Sequence, residues 1–111
     1  MNVTINNIGD VTVTLISGEL DGSTAPVAQQ EVLAVAREAA LIVLDLTAVP
    51  YMSSAGLRML LSTYRQVTNT GGKIVLVGVA DEIKDTMEVT GFLKFFTLTD
   101  TVDQAVTALK G

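Results

Sequence analysis

The sequence contains no cysteine and no histidine among its 111 residues. Without cysteine the chain can form neither a disulfide nor a thiolate metal site. Without histidine it lacks both the commonest general base and the commonest metal ligand. The two absences argue against most hydrolytic, transferase and zinc-dependent reactions. We therefore expect a binding domain with no metal, no cofactor and no enzymatic activity.

Positive charge is also scarce, since 7 Lys and Arg residues face 12 Asp and Glu residues and the net charge is −5. Nucleic acid binding requires several cations on one surface. In this chain the cations are scattered singly, as Arg37, Arg58, Arg65, Lys73, Lys84, Lys94 and Lys110. We expect no binding to nucleic acid.

The apolar runs are short, and the N-terminus MNVTINNIGD has neither the basic nor the apolar region of a signal peptide. A membrane-spanning helix needs roughly 20 apolar residues. These features predict a cytoplasmic protein that does not contact a membrane. A length of 111 residues with 49% hydrophobic residues predicts one domain over residues 1–111 with one packed core.

Two kinds of strand pattern are present. Residues 11–15 alternate with period two, and Val3 and Ile5 suggest a shorter strand before them, joined by a turn at Gly9-Asp10. Residues 41–44 and 74–77 are continuously apolar, which is typical of strands buried on both faces. Residues 95–98 form one more short candidate strand.

Helical patterns separate these strands. Their apolar faces and end signals predict a helix after Ser23-Thr24, one from Ser54 to about residue 70, one from Asp81 to Gly91, and one that begins with a capping box at Thr101 and Gln104. The first helix has Pro26 in its first turn, and its apolar face consists of Ala28, Val32, Val35 and Ala39. The apolar face of the second helix consists of Leu57, Leu60, Leu61, Tyr64 and Val67. The third helix is expected to bury Ile83 and Met87, and the last to bury Val102, Ala105, Val106 and Leu109. The predicted fold is a single α/β domain with a mixed sheet of four to five strands and about four helices. An opening β-hairpin leads into βα units.

Ser53 and Ser54 place two hydroxyl groups between a buried strand and a helix. The start of a helix carries unpaired N–H groups and about half a positive charge, so a phosphate on a serine there is favoured electrostatically. Gly56 has no side chain to obstruct an approaching phosphoryl group or partner chain. The alternative is that one serine only caps the helix.

The run DLTAVPYMSSAGLRMLL at residues 45–61 resembles the central signature of STAS domains, best known in bacterial anti-sigma factor antagonists. The patch SGELD at residues 17–21 resembles the turn that precedes the first helix in that family. Gly71-Gly72 before a buried strand and the turn Thr90-Gly91-Phe92 also fit. The resemblance covers essentially the whole chain and implies a single STAS-type domain.

The resemblance also implies a mechanism. In the family, the serine that matches Ser54 is phosphorylated by a partner anti-sigma factor that is an ATP-dependent serine kinase. The unphosphorylated domain binds this partner, the phosphorylated domain releases it, and a phosphatase resets the switch. Two departures stand out: Ser53 occupies a position where Asp is common, which makes it an alternative acceptor, and Arg58 occupies a position where a small residue is common.

Further candidate partner-binding residues surround the two serines. We expect Asp21, Ser23 and Thr24 beside the serine turn, with turn formation and helix capping as the equal alternative. Met52 and Leu57 are candidate exposed contacts, although Leu57 fits core packing as well. Asp45, at the predicted end of a strand, is expected to be structural. The free domain is expected to be a monomer.

Two other functions remain open. The first is a constitutive STAS-type adaptor, such as the small subunit of a lipid-transport ATPase complex. The presence of Ser53 at a position where Asp is common leaves this alternative open. The second is a serine-dependent enzyme. It would need a lysine or carboxylate base near the serines, and none lies close in sequence.

Overall fold

The computed structural model describes residues 1–110 and contains five strands and four α-helices. In chain order they are β1 (Asn2–Ile8), β2 (Val11–Ser17), α1 (Ala25–Ala36), β3 (Leu41–Ala48), α2 (Ser54–Asn69), β4 (Lys73–Val77), α3 (Asp81–Val89), β5 (Thr97–Thr99) and α4 (Val102–Lys110). A single 3₁₀ turn, Leu93–Phe95, precedes β5. The α/β architecture, the opening hairpin and the four helices predicted from the sequence are confirmed. None of these helices is long and apolar enough to cross a membrane.

The five strands lie in the sheet in the same order as in the chain. β1 and β2 are antiparallel and joined by the turn at Gly9-Asp10, where Gly9 adopts a φ of +62°. The other neighbouring pairs are parallel. Each βαβ connection leads to the next strand along the sheet, always in the same direction across it. Right-handed crossovers then place α1, α2 and α3 on one face. The last helix, α4, covers the opposite face.

Alternate residues of the central strands enter two separate cores. Ile42 and Leu44 of β3 pack in the larger core beneath α1, α2 and α3, whereas Val43 packs in the smaller core beneath α4. In β4, Val75 and Val77 belong to the α4 side in the same way. This two-sided burial explains why residues 41–44 and 74–77 are continuously apolar, and it confirms the prediction for both strands.

Some predicted boundaries were wrong. Phe95 and Phe96 precede β5 instead of belonging to it, because their rings pack against Tyr64 of α2, with ring centroids 6.2 Å and 5.3 Å away. α1 ends before Ala39, which is only half-buried. β3 continues beyond Asp45 to Ala48, so Asp45 does not end the strand. The Asp45 carboxylate accepts a hydrogen bond from the Thr47 N–H at 3.0 Å, which agrees with a structural role.

The buried face of α2 also differs from the apolar pattern, since Leu61 and Tyr64 are half-buried while Met59 and Thr63 are fully buried. At the start of α4, the Gln104 N–H donates to the Thr101 hydroxyl at 3.1 Å, as a capping box requires. The Gln104 side chain accepts in return from the N–H of Asp100, one residue earlier than predicted. Val102 and Val106 are only half-buried.

Candidate functional site

The chain segments that lead into α1 and α2 lie side by side. The Leu20 N–H donates to the Tyr51 carbonyl at 3.0 Å, and the Ser53 N–H donates to the Leu20 carbonyl at 2.8 Å. Leu20 and Met52 thereby form an isolated parallel bridge beyond the ends of β2 and β3. The structure thus brings the turn at Asp21 next to the serine turn, where the sequence predicted it.

Asp21 organises the turn before α1. Its Oδ1 accepts hydrogen bonds from the Ser23 hydroxyl at 2.8 Å, the Ser23 N–H at 2.9 Å and the Thr24 N–H at 3.0 Å. The hydrogen bond from the Ser23 hydroxyl, followed by those from the two N–H groups, lowers the pKa of Asp21 below its usual value because all of them favour the charged carboxylate. The Thr24 hydroxyl donates to the Glu19 carbonyl at 2.8 Å. Asp21, Ser23 and Thr24 therefore all have a turn-forming role.

The two serines have different roles at the start of α2. Ser53 is the N-cap: its backbone is extended, with φ −77° and ψ 174°, and its hydroxyl oxygen accepts from the Gly56 N–H at 3.4 Å. Ser54 is the first residue of the helix and is exposed. Within residues 1–110 its hydroxyl makes no hydrogen bond. The capping alternative thus applies to Ser53, whereas the hydroxyl of Ser54 is accessible from solvent.

Gly56 is buried, and its contacts are internal. A Cβ atom at this position would lie 2.5 Å from Cγ of Met52 and 2.9 Å from the carbonyl oxygen of Leu20. The expectation that Gly56 leaves room for a phosphoryl group or a partner chain was wrong, because the room is taken by the protein's own Leu20–Met52 bridge. The missing side chain lets the first turn of α2 pack onto that bridge.

Met52 and Leu57 also point into the protein. Met52 is 8% exposed, Leu57 is 4% exposed, and both belong to the larger core. The prediction of an exposed contact was therefore wrong for Met52, whereas for Leu57 the alternative of core packing is confirmed. Met52 fills the space above Gly56, and Leu57 lies one turn into the buried face of α2.

The exposed residues near the two helix starts form a different set. Tyr51 is 51% exposed, and Val27, in the first turn of α1, is 49% exposed. An open groove runs between α1 and α2 and is lined by residues that include Gly22, Pro26, Ala55 and Arg58. The sequence reasoning missed Tyr51 and Val27. Tyr51 is exposed because its neighbour Met52 points into the core and adjacent residues of an extended segment point to opposite sides.

The described part of the chain contains no group of three acidic, cysteine or histidine side chains that could hold a metal ion. The site therefore consists of an exposed serine hydroxyl at a helix start, a carboxylate held within a neighbouring turn, and an exposed arginine one turn along the helix. The Ser54 hydroxyl and the side chains of Val27 and Arg58 along the α1–α2 edge are exposed to solvent.

Residues 2–105 match the model of the STAS domain family. The chain belongs to this family, and the resemblance seen in its sequence is confirmed.

The similar proteins are consistent with this membership. The anti-sigma-B factor antagonist of Bacillus subtilis is 30% identical over 94 residues, which cover 82% of this chain and 85% of that protein. The crystal structure of an anti-sigma factor antagonist from Mycobacterium paratuberculosis superposes with a TM-score of 0.88 at 32% identity, covering 99% of this chain and 94% of that one. The unphosphorylated form of the anti-sigma factor antagonist SpoIIAA has the same fold, with a TM-score of 0.80 at 16% identity over 99% of this chain and 97% of that one.

Proposed function

We propose that this protein is a cytoplasmic anti-sigma factor antagonist that works by phosphorylation-controlled partner switching at Ser54. The observation that carries the proposal is the division of roles between the two serines of the STAS signature. Ser53 is engaged as the helix cap, whereas Ser54 is exposed and its hydroxyl is unbonded within the described residues. The names of the relatives and the family membership support the same function.

In this proposal the unmodified protein binds an anti-sigma factor that is also an ATP-dependent serine kinase. The Ser54 oxygen attacks the γ-phosphorus of ATP, a new O–P bond forms, and the bond from that phosphorus to the bridging oxygen of ADP breaks. The serine proton passes to the kinase. A phosphatase later hydrolyses the phosphoserine with water and returns the free hydroxyl and inorganic phosphate.

The effect of the phosphate falls on the interface and not on the fold. The modification adds about −1.5 to −2 charge at neutral pH. At the first residue of α2 this charge meets the positive end of the helix dipole, which favours it by ~0.3–1 kcal/mol. In a protein interface the same charge would have to leave water, and a penalty of ~4 kcal/mol would weaken binding about a thousandfold. Release therefore needs no large conformational change.

The test is phosphopeptide mapping of the protein purified from its own cells, resolved to single residues, together with two matched variants. We expect phosphate on Ser54 in the natural protein and in Ser53→Ala, and none in Ser54→Ala. Phosphate on Ser53 would move the acceptor by one residue and contradict the role assigned to Ser54. Absence of phosphate under every growth condition would favour the constitutive adaptor.

A further inference from the structure

We infer that Arg58 binds the phosphate carried by Ser54. Phosphorylation would then place a dianion at the start of α2 and also withdraw a cation from the docking edge. The inference rests on the proposed function for the presence of the phosphate, and on the geometry of α2 for its partner.

Helix geometry brings the two side chains together. Arg58 follows Ser54 by four residues in α2, so both lie on the same face one turn apart. Side chains of a helix lean towards its N-terminus, which directs the long side chain of Arg58 back over the first turn. An acidic group four residues before a basic one is also the more favourable orientation of such a pair.

Arg58 has no competing partner in the described residues. It is exposed, and the one ion pair found there joins Lys110 to Asp10. The first turn of α2 contains no acidic residue. Asp21 uses one carboxylate oxygen, Oδ1, for its hydrogen bonds with Ser23 and Thr24, and among the described residues it forms no ion pair with Arg58. A phosphate on Ser54, one helical turn before Arg58, would be able to accept the two parallel hydrogen bonds that a guanidinium group offers.

The side chain at position 53 affects whether the Arg58 guanidinium can bind a phosphate on Ser54. A carboxylate there would compete for the guanidinium and repel a phosphate on the next residue. Ser53 is neutral and its hydroxyl oxygen faces the Gly56 N–H, so neither effect arises. In the unmodified protein the exposed guanidinium remains available to the partner.

The experiment uses the full chain with phosphoserine installed at position 54, and it follows the second ionisation of the phosphate by ³¹P NMR as the pH is varied. The variants are Arg58→Gln and the matched control Arg65→Gln, an exposed arginine on the same helix. Arg65 lies eleven residues from Ser54, or about 16 Å along the axis. We expect Arg58→Gln to raise the pKa of the phosphate by roughly 0.5, which corresponds to ~0.7 kcal/mol. We expect Arg65→Gln to leave it unchanged, and 1 M salt to reduce the difference.

A phosphate pKa that is the same in the natural sequence and in Arg58→Gln would overturn the inference, as would equal shifts in both variants. Arg58→Lys provides a further check, because it keeps the charge but loses the paired hydrogen bonds and should fall between the two. The result is independent of the proposed function. Installed phosphate reports on Arg58 whether or not cells phosphorylate Ser54, and mapping in cells reports on Ser54 whether or not Arg58 binds the phosphate.

Discussion

The starts of α1 and α2 are hydrogen-bonded neighbours, yet they are built from different chemistry. The turn before α1 contains a carboxylate, Asp21, which accepts hydrogen bonds from the N–H groups and hydroxyls of Ser23 and Thr24. The segment before α2 contains no carboxylate and is capped by the neutral hydroxyl of Ser53 through one long hydrogen bond. The start of α1 is therefore supplied with its own anion, and the start of α2 is not.

This difference indicates where the protein can accept an added negative charge. At α1 an additional anion would meet Asp21, whose charge is already stabilised within the turn. At α2 the positive end of the helix dipole has no acidic residue in the first turn to compensate it. The Ser54 hydroxyl lies at this end of α2, where no acidic side chain of the first turn compensates the positive end of the helix dipole.

The largest expected effect comes from the contact that joins the two helix starts. Gly56→Ala puts a Cβ within 3 Å of Leu20 and Met52, and this overpacking should lower the free energy of unfolding by about 1–3 kcal/mol in urea denaturation. The matched control is Gly22→Ala, at a position where a Cβ meets nothing within 4 Å. It should change the free energy of unfolding by less than about 0.5 kcal/mol. Equal effects would show that α2 is not fixed by its packing on the Leu20–Met52 bridge.

A smaller effect separates the two serines. Ser53→Ala removes the cap of α2 and should cost about 0.5–1 kcal/mol, near the lower end of the usual range because the hydrogen bond is long. Ser54→Ala removes a hydroxyl that is exposed and unbonded within the described residues, so it should stay within about 0.5 kcal/mol of the natural sequence. Thermal unfolding of both variants in one buffer measures the difference. A larger loss for Ser54→Ala would reverse the two assigned roles.

The smallest effect concerns the carboxylate of Asp21 in the turn before α1, which is accessible to solvent. Because folding lowers the pKa of Asp21, the stability it contributes is present above its unfolded pKa of about 3.8 and is lost as the pH falls through the lower folded pKa. Asp21→Asn should therefore be less stable than the natural sequence at pH 5–7, and the two should converge below pH 4. Urea denaturation across this pH range tests it, and a difference that does not vary with pH would refute the assignment.

Local sequence patterns were sufficient to locate the elements whose burial is visible in the order of apolar residues along the chain. The continuous apolar runs located β3 and β4, and the apolar stripe with its end signals placed α2 to within one residue. The error at Phe95 and Phe96 has a tertiary cause. Aromatic residues favour strands, but contact with Tyr64, about thirty residues earlier in the chain, holds these two outside β5.

The candidate site was predictable as a segment but not residue by residue. Its motif and its place before a helix identified the turn at Ser53 and Ser54. The burial of Met52 and Gly56 was not predictable, because it follows from pairing with Leu20, which is more than thirty residues away in the sequence. The roles of the two serines depend on the residue at which α2 begins, and a shift of one position would have exchanged them.

The strand order of the sheet has a consequence for how the chain can assemble. Each parallel strand pairs with the strand that precedes it in sequence, so no strand must be inserted between two others that are already paired. Each new pairing closes a βαβ unit of roughly 30 residues, and the entropy lost in closing such a loop grows only slowly with its length. The sheet can therefore grow from the hairpin in the order in which a ribosome delivers the chain, and α4 adds its cover to the exposed second face at the end.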